Sequence, residues 1–181
     1  VNAITYNEYG ISVIDKEKCI RCGKCIHSCP FGAIASKTFI VPVIEALKAG
    51  KHIYAMAAPA TEGQFGVDIT MASWKKAMKE MGFTDFYDVG LGGDMTAAYE
   101  AEEWAEAYKE GNKKVTSCCP AFVNMVRLHY PELAECVSTT VSPMCAVSRL
   151  IKAKDPEAIT VFIGPCVAKK SEVADQKIEG N

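Results

Sequence analysis

The sequence has no excess of charge of either sign, no long apolar run and no leader-like start. Lys and Arg number 20 against 22 Asp and Glu, a formal net charge of -2. There is no basic footprint of the kind that tracks a phosphate backbone, so nucleic acid is not an expected partner. No stretch approaches the about 18 consecutive apolar residues of a spanning helix, so no membrane partner is expected either. The opening residues, VNAITYNEYG, lack the charged-then-apolar pattern of an export signal, and the expected location is the cytoplasm. An initiating methionine is also missing, and the start on Val1 reads as a fragment of a longer protein. What is present is a globular composition, 49% hydrophobic and 23% charged over 181 residues, suited to one or two domains.

Cysteine is the residue in surplus. There are nine, an odd number, and without export a disulfide framework is not expected, so metal or redox chemistry is the default reading. Four of them, Cys19, Cys22, Cys25 and Cys29, form CIRCGKCIHSCP, which is C-x2-C-x2-C-x3-C-P. That is the bacterial ferredoxin run for a [4Fe-4S] cluster. Short spacing lets one loop wrap the cube, Gly23 relieves crowding and Pro30 turns the chain away. A zinc site or free thiols are the alternatives, and zinc sites usually pair two separated C-x2-C units. Arg21, Lys24 and His27 read as solvated bystanders. In two-cluster ferredoxins the fourth cysteine serves the other cluster. VNAI at residues 1–4 repeats FGAI at 31–34, the turn that follows Cys29-Pro30. A second cysteine run ending in Cys-Pro is therefore expected just before Val1. On that reading the chain holds half of a module, with Cys19, Cys22 and Cys25 short of a fourth ligand and Cys29 short of its cluster.

From Phe39 the texture changes. Helical periodicity or capping marks 39–50, 69–82, 94–112, 121–130 and 142–153; strand signals mark 52–59, 83–90, 113–117 and 158–165. Ser142 is a plausible N-cap, and Pro120 and Pro143 suit first helical turns. The fold class expected is α/β: a roughly four-stranded parallel sheet flanked by helices, preceded by half of a ferredoxin-like module. The domain division is 1–38 and 39–181. AAPAT, TSCCP and GPCVAKK all follow strands, so they converge on the carboxyl edge where sites form in such sheets.

The adjacent pair Cys118–Cys119 admits several readings. Neighbouring side chains diverge, so both seldom ligate one ion, and a vicinal disulfide is strained. One ligand plus one free thiol is the natural division. Cys166 follows the last strand as the pair follows an earlier one, and Cys119 and Cys166 can face each other across neighbouring loops with Lys169 close by. Glu100 and Glu103, i and i+3, share a helix face and suit one relay. The plain alternative is an acidic surface helix, since Glu102, Glu106 and Glu110 are also there. Cys136, Cys145, His52 and His129 read as structural.

TSCCPAF (116–122) resembles the first signature of the [FeFe]-hydrogenases. GPCVAKKSE resembles the second, supplying Pro165, Cys166, Lys169 and Glu172, and STTVSPM (138–144) and AAPAT (57–61) resemble the family's intervening segments. The resemblance implies reversible proton reduction and dihydrogen oxidation, with electrons carried by 4Fe-4S clusters. It implies an H-cluster, a [4Fe-4S] cube linked to a two-iron subsite, with Cys119 and Cys166 as ligands of the cube. Cys118 is then the free thiol that passes protons to the two-iron subsite. Lys169 hydrogen-bonds a cyanide ligand, Ala58, Pro59, Ala60 and Pro165 line the pocket, and Ser138, Glu100 and Glu103 continue the proton path. The implied partners are a ferredoxin or similar electron carrier and maturation proteins that supply the two-iron subsite.

There are departures from the family pattern. Val141, Met144 and Gly164 stand where many members have Lys, Gln and Met. A third signature with two more cysteines is missing, so this chain alone is expected to be inactive and to bind no complete cofactor. The alternatives are a hydrogenase-like iron–sulfur assembly protein and a hydrogen-sensing homologue that does not turn over. Both often lack the thiol that Cys118 provides.

Overall fold

The computed structural model describes residues 1–174. It begins with an antiparallel hairpin, β1 (Ile4–Tyr6) on β2 (Ser12–Ile14), with Ile4 opposite Ile14. Asn7 makes the turn: its Oδ1 accepts the N–H groups of Tyr9 and Ile11 at 3.0 and 2.9 Å. Every residue of both strands is exposed. The sequence reading of this stretch as simply turn-rich missed the hairpin because each strand is only three residues long. The cysteine loop follows, with Arg21 and Gly23 in the left-handed region (φ 61° and 77°) before the short helix α1 (Lys24–Ser28).

The α/β portion is built around β3 (Ile53–Ala57), the middle strand of a parallel sheet with β4 (Asp85–Asp88) on one side and β5 (Ile159–Ile163) on the other. The period of two decides the layers. Ile53, Ala55 and Ala57 point to one face, with Phe86 and Val161 beside them. That face is covered by α2 (Ile40–Lys48) through Val43, Ala46 and Leu47, and by α3 (Met71–Glu80) through Met71, Trp74 and Met78. Met56, Tyr54, Tyr87 and Phe162 point to the other face and meet Met144, Val147 and Ile151 of α6 (Pro143–Lys154). A strand sandwiched this way must be apolar throughout, as IYAMA is.

Among the described residues the sheet has three strands, not four. The segment 113–117 makes only an isolated parallel bridge, Val115 to Val137, away from the sheet. Two adjacent β-branched residues, Val115 and Thr116, resemble a strand, but no partner strand continues the pairing. The bridge still matters, because Val115 accepts the N–H of Ser138 at 2.8 Å and so sets Ser138 beside the residues that follow Val115.

α4 (Gly90–Lys109) starts four residues earlier than its periodicity suggests, because Gly90, Gly92 and Gly93 are all helical. Gly92 is the reason α4 lies so near α6: a Cβ there would stand 2.2 Å from the Pro143 carbonyl oxygen. Thr96 adds a hydrogen bond to the Val141 carbonyl at 3.2 Å. α5 (Pro120–His129) and the short α7 (Lys169–Val173) complete the described helices that bear on the site. Ser142 caps α6 as read, its Oγ accepting the N–H of Cys145 at 3.5 Å.

At the opposite, amino edge of the sheet, Asp155 ties β3 to the end of α6. Its Oδ2 accepts the Tyr54 hydroxyl at 3.0 Å and lies 2.9 Å from His52 Nδ1. Loss of water pushes this carboxyl up, but the Tyr54 and His52 hydrogen bonds outweigh it and hold it below its ordinary 3.8. A depressed folded-state pKa contributes stability above the unfolded value, and that contribution is lost as pH falls through the folded one. Asp155→Asn is therefore expected to flatten the loss of stability as pH falls below about 4. Urea midpoints across that window check it; an unchanged acid limb would count against the assignment.

Candidate metal centre

Because β3, β4 and β5 run parallel, their carboxyl ends share one edge. Ala58 leaves β3 there, and its N–H is donated to the Ile163 carbonyl at 2.9 Å, locking the β3 exit to the β5 exit. Ala58 is buried, while Pro59 and Ala60 lie exposed in the single 3-10 turn Pro59–Thr61. Gly164, Pro165 and Cys166 leave β5 beside them, all exposed. A Cβ on Gly164 would stand 2.9 Å from the Ala58 methyl and from the Phe162 ring, so the departure to glycine here has a steric cause in this chain.

Cys119 is the N-cap residue of α5, with Pro120 buried at the first helical position. Both Cys118 and Cys119 are exposed, and none of the nine cysteines is joined in a disulfide. Cys118 is held by its backbone: its N–H is donated to Thr116 Oγ1 at 3.3 Å, and its carbonyl accepts from Lys169 Nζ at 3.1 Å. Lys169 also pairs with Glu172 at 2.8 Å, and the two side chains retain only 12% and 9% of their exposure. The second loop thus reaches back to the first through a nearly buried ion pair. Glu172 completes that pair, a role the sequence reading left undefined.

The acidic helix is joined to this edge by hydroxyls. Glu100 Oε1 accepts from Thr116 Oγ1 at 2.9 Å, from the Ser117 N–H at 2.9 Å and from Ser117 Oγ at 3.3 Å. The Ser117 hydroxyl also reaches the Thr140 carbonyl, and the Thr140 N–H is donated to Ser138 Oγ at 3.0 Å. Glu103 accepts from the Thr139 hydroxyl and from its N–H at 3.2 Å. Desolvation would raise the Glu103 pKa, but hydrogen bonds from Thr139 and Ser138 prevail and hold it below the usual carboxylate range. Glu100, Glu103 and Ser138, separated in sequence by up to 38 positions, therefore sit in one hydrogen-bonded neighbourhood. A cleft of about 300 Å³ opens onto Glu100, Glu103, Thr116 and Ser138. Thr116, Ser117, Thr139 and Thr140 were not singled out from the sequence. Their only signal was membership of TSCC and STT.

Whether these residues suit iron–sulfur groups is tested by their chemistry. Among the described residues, no set of three or more His, Cys, Asp or Glu converges as for a single metal ion. A cubane asks for something different, since it spreads its cysteine sulfurs much further apart. At Cys29 the donor set fits: backbone N–H groups of Ala33 foremost, then Phe31, Ile34 and Gly32, hold the thiol below its usual range, and Ala33 donates to Sγ at 3.3 Å. Amide groups aimed at a sulfur are what a cluster-bound thiolate needs. At the sheet edge, the exposed thiols of Cys119 and Cys166 supply two donors on loops that Lys169 links. Cys145, by contrast, is buried in the α6 core, where burial first and the Glu172 charge next push its thiol up. Cys136 is half-buried, and His129 spends its Nε2 on the Lys18 carbonyl at 2.9 Å.

Comparison with known proteins gives two family matches. The family "Iron only hydrogenase large subunit, C-terminal domain" matches residues 51–181, and a 4Fe-4S binding domain matches residues 12–35. The chain belongs to the iron-only hydrogenase large-subunit family. Among curated relatives, Iron hydrogenase 1 of Clostridium pasteurianum is 32% identical over 83% of this chain and 29% of its own length. The periplasmic [Fe] hydrogenase large subunit of Nitratidesulfovibrio vulgaris is 34% identical over 88% of this chain and 50% of its own. The NADP-reducing hydrogenase subunit HndD of Solidesulfovibrio fructosivorans is 27% identical over 90% of this chain and 32% of its own. The chain thus spans between 29% and 50% of the length of these relatives. Among the described residues no helix is long and apolar enough to cross a membrane.

Proposed function

We propose that this chain is the first lobe, residues 39–181, of an [FeFe]-hydrogenase catalytic domain, preceded by ferredoxin-type residues 1–38. The protein it belongs to would interconvert protons, electrons and dihydrogen. Cys19, Cys22, Cys25 and Cys29 would hold 4Fe-4S iron, and Cys119 and Cys166 would hold the cube of the H-cluster. When bound, the H-cluster supplies the redox centre at which dihydrogen is made or split. The chain's own residues do the rest. Ala58, Pro59, Ala60 and Pro165 wall the pocket at the sheet edge. Lys169, fixed by Glu172, presents a cation there while anchoring the Cys118 carbonyl. Cys118 holds and releases a proton at Sγ, and Glu100, Ser138 and Glu103 move it between that thiol and solvent. A ferredoxin or similar carrier supplies electrons, maturation proteins supply the two-iron part, and nine cysteines with no disulfide among them suit a reducing compartment such as the cytoplasm.

The observation that carries this reading is Glu100, which accepts the hydroxyl of Thr116 and the N–H of Ser117 beside Cys118. These bonds hold the Glu100 carboxylate against the residues next to Cys118, the place a relay from that thiol would need it. In the matured full-length parent, Glu103→Gln is expected to lower hydrogen turnover by about a hundredfold or more, the scale of a lost acid–base group. Iron content should be unchanged. Wild-type turnover in that variant would remove Glu103 from the path.

A further inference from the structure

Two redox motifs far apart in sequence are fastened together in this fold. The ferredoxin-type loop meets the Cys166 loop at Gly23. Gly23, with φ 77°, lies so close to Val167 that a Cβ on it would stand 3.0 Å from Val167 Cγ2 and 3.1 Å from Val167 Cβ. Val167 is the residue next to Cys166, and Gly23 lies between Cys22 and Cys25. Four hydrogen bonds from three further residues hold this point closed. Lys170 donates to Ser36 Oγ at 2.8 Å and to the Lys37 carbonyl at 2.7 Å, strapping the linker after the cysteine loop onto α7. Asn124 of α5 donates to the Ile20 carbonyl at 3.4 Å, and His129 Nε2 lies 2.9 Å from the Lys18 carbonyl. The Lys170 N–H is itself donated to the Val167 carbonyl at 3.1 Å, so the strap and the contact belong to one rigid turn.

We propose that Val167 and Lys170 are positioning residues: the Val167 side chain seated on the bare Cα of Gly23, held down by the Lys170 strap, sets the separation between the ferredoxin-type cysteines and Cys166. The inference rests on the proposed function for its purpose. Electron exchange falls steeply with separation, so a hydrogenase needs the two cysteine sets at one fixed spacing. The exchange moves a single electron: the donor cluster is oxidised by one and the acceptor reduced by one. No bond or proton changes hands, and a low-potential one-electron carrier refills the donor. Glycine is required at position 23 twice over, for its left-handed backbone and for the space that Val167 takes. Lys169 and Lys170 then divide their work, the first facing the Cys118 loop and the second the linker.

The test uses Lys170→Met, which keeps stem length and loses the strap, and Val167→Ala, which removes the contact. Gly23→Ala is made alone and with Val167→Ala. Hydrogen exchange on this chain reads the fastening. Amides of residues 16–37 should exchange several-fold faster in Lys170→Met and Val167→Ala, with β3 amides unchanged. Spin–spin broadening between the two clusters, measured by EPR in the iron–sulfur-loaded full-length parent, reads the spacing. It should weaken in both variants and in Gly23→Ala, and recover in part when Val167→Ala relieves the Gly23→Ala clash. Unchanged exchange in both variants overturns the inference, as does faster exchange with unchanged broadening. A parent that loads no cluster on Cys119 and Cys166 overturns the functional reading instead, and the exchange arm then still decides whether the fastening exists.

Discussion

Replacing Cys118 with alanine in the matured full-length parent is expected to cut hydrogen turnover by about 10²–10⁴-fold, the range a positioned acid–base group contributes. The infrared bands of the bound two-iron group should persist. The reason lies in how Cys118 is held. Both of its backbone groups are engaged, the N–H with Thr116 Oγ1 and the carbonyl with Lys169 Nζ. Neither bond uses the thiol, so alanine keeps the loop in place and removes only the exposed Sγ. Thr116, which accepts the Cys118 N–H, donates in turn to Glu100, so the Cys118 backbone adjoins the Glu100 carboxylate. Cys119→Ala should behave differently. It removes a proposed iron ligand at the N-cap of α5, so iron per chain should fall along with turnover. Full turnover in Cys118→Ala, or identical iron loss in both variants, would end the division of labour between the adjacent thiols.

Gly92→Ala is expected to be the most damaging small substitution in the α/β portion. The added Cβ would stand 2.2 Å from the Pro143 carbonyl oxygen and 2.8 Å from Val147 Cγ2, and the first of these is backbone that cannot rotate away. α4 and α6 would have to separate, at a cost of about 1–3 kcal/mol or more for an overpacked contact. For a chain of this size each kcal/mol lowers Tm by about 2–4 °C. Gly93 is the control. Its neighbour space is empty to 4 Å, so Gly93→Ala in the same helix should gain about 0.5–1 kcal/mol from helix propensity alone. Thermal unfolding of the two variants checks the contrast, and equal midpoints would show that α4 does not depend on this close approach. The same displacement would draw Glu100 and Glu103 off the hydroxyls of Thr116 and Thr139, linking a packing contact to the proposed relay.

Much of this was legible in the chain. The helices at 40–48, 71–80, 120–129 and 143–154 and the strands at 53–57, 85–88 and 159–163 fall on the segments their patterns mark, two of the helices overrunning them by one residue. Each carries a strong period and a stop signal. The fourth strand at 113–117 failed because β propensity says nothing about whether a partner edge is available, and Val115 finds only Val137. The early start of α4 was hidden by three glycines, whose poor helix propensity is overridden by the close packing that Gly92 permits. The hairpin at 4–14 was hidden by its brevity and by having no buried face.

By itself the sequence determined the chemistry on offer, because ligand types and spacings are local. C-x2-C-x2-C-x3-C-P, the Cys118–Cys119 pair, and Cys166 with Lys169 three residues on are written in short runs that no fold can alter. It also determined the α/β class, since periodicity is local too. Only the tertiary structure decided which of these runs meet. A parallel sheet puts the exits of β3 and β5 on one edge, an isolated bridge sets Ser138 beside Ser117, and α4 brings Glu100 and Glu103 to hydroxyls from two loops. Glu172 as the partner of Lys169, and Val167 against Gly23, are juxtapositions of packed surfaces, and no pattern along a chain encodes which surfaces will touch.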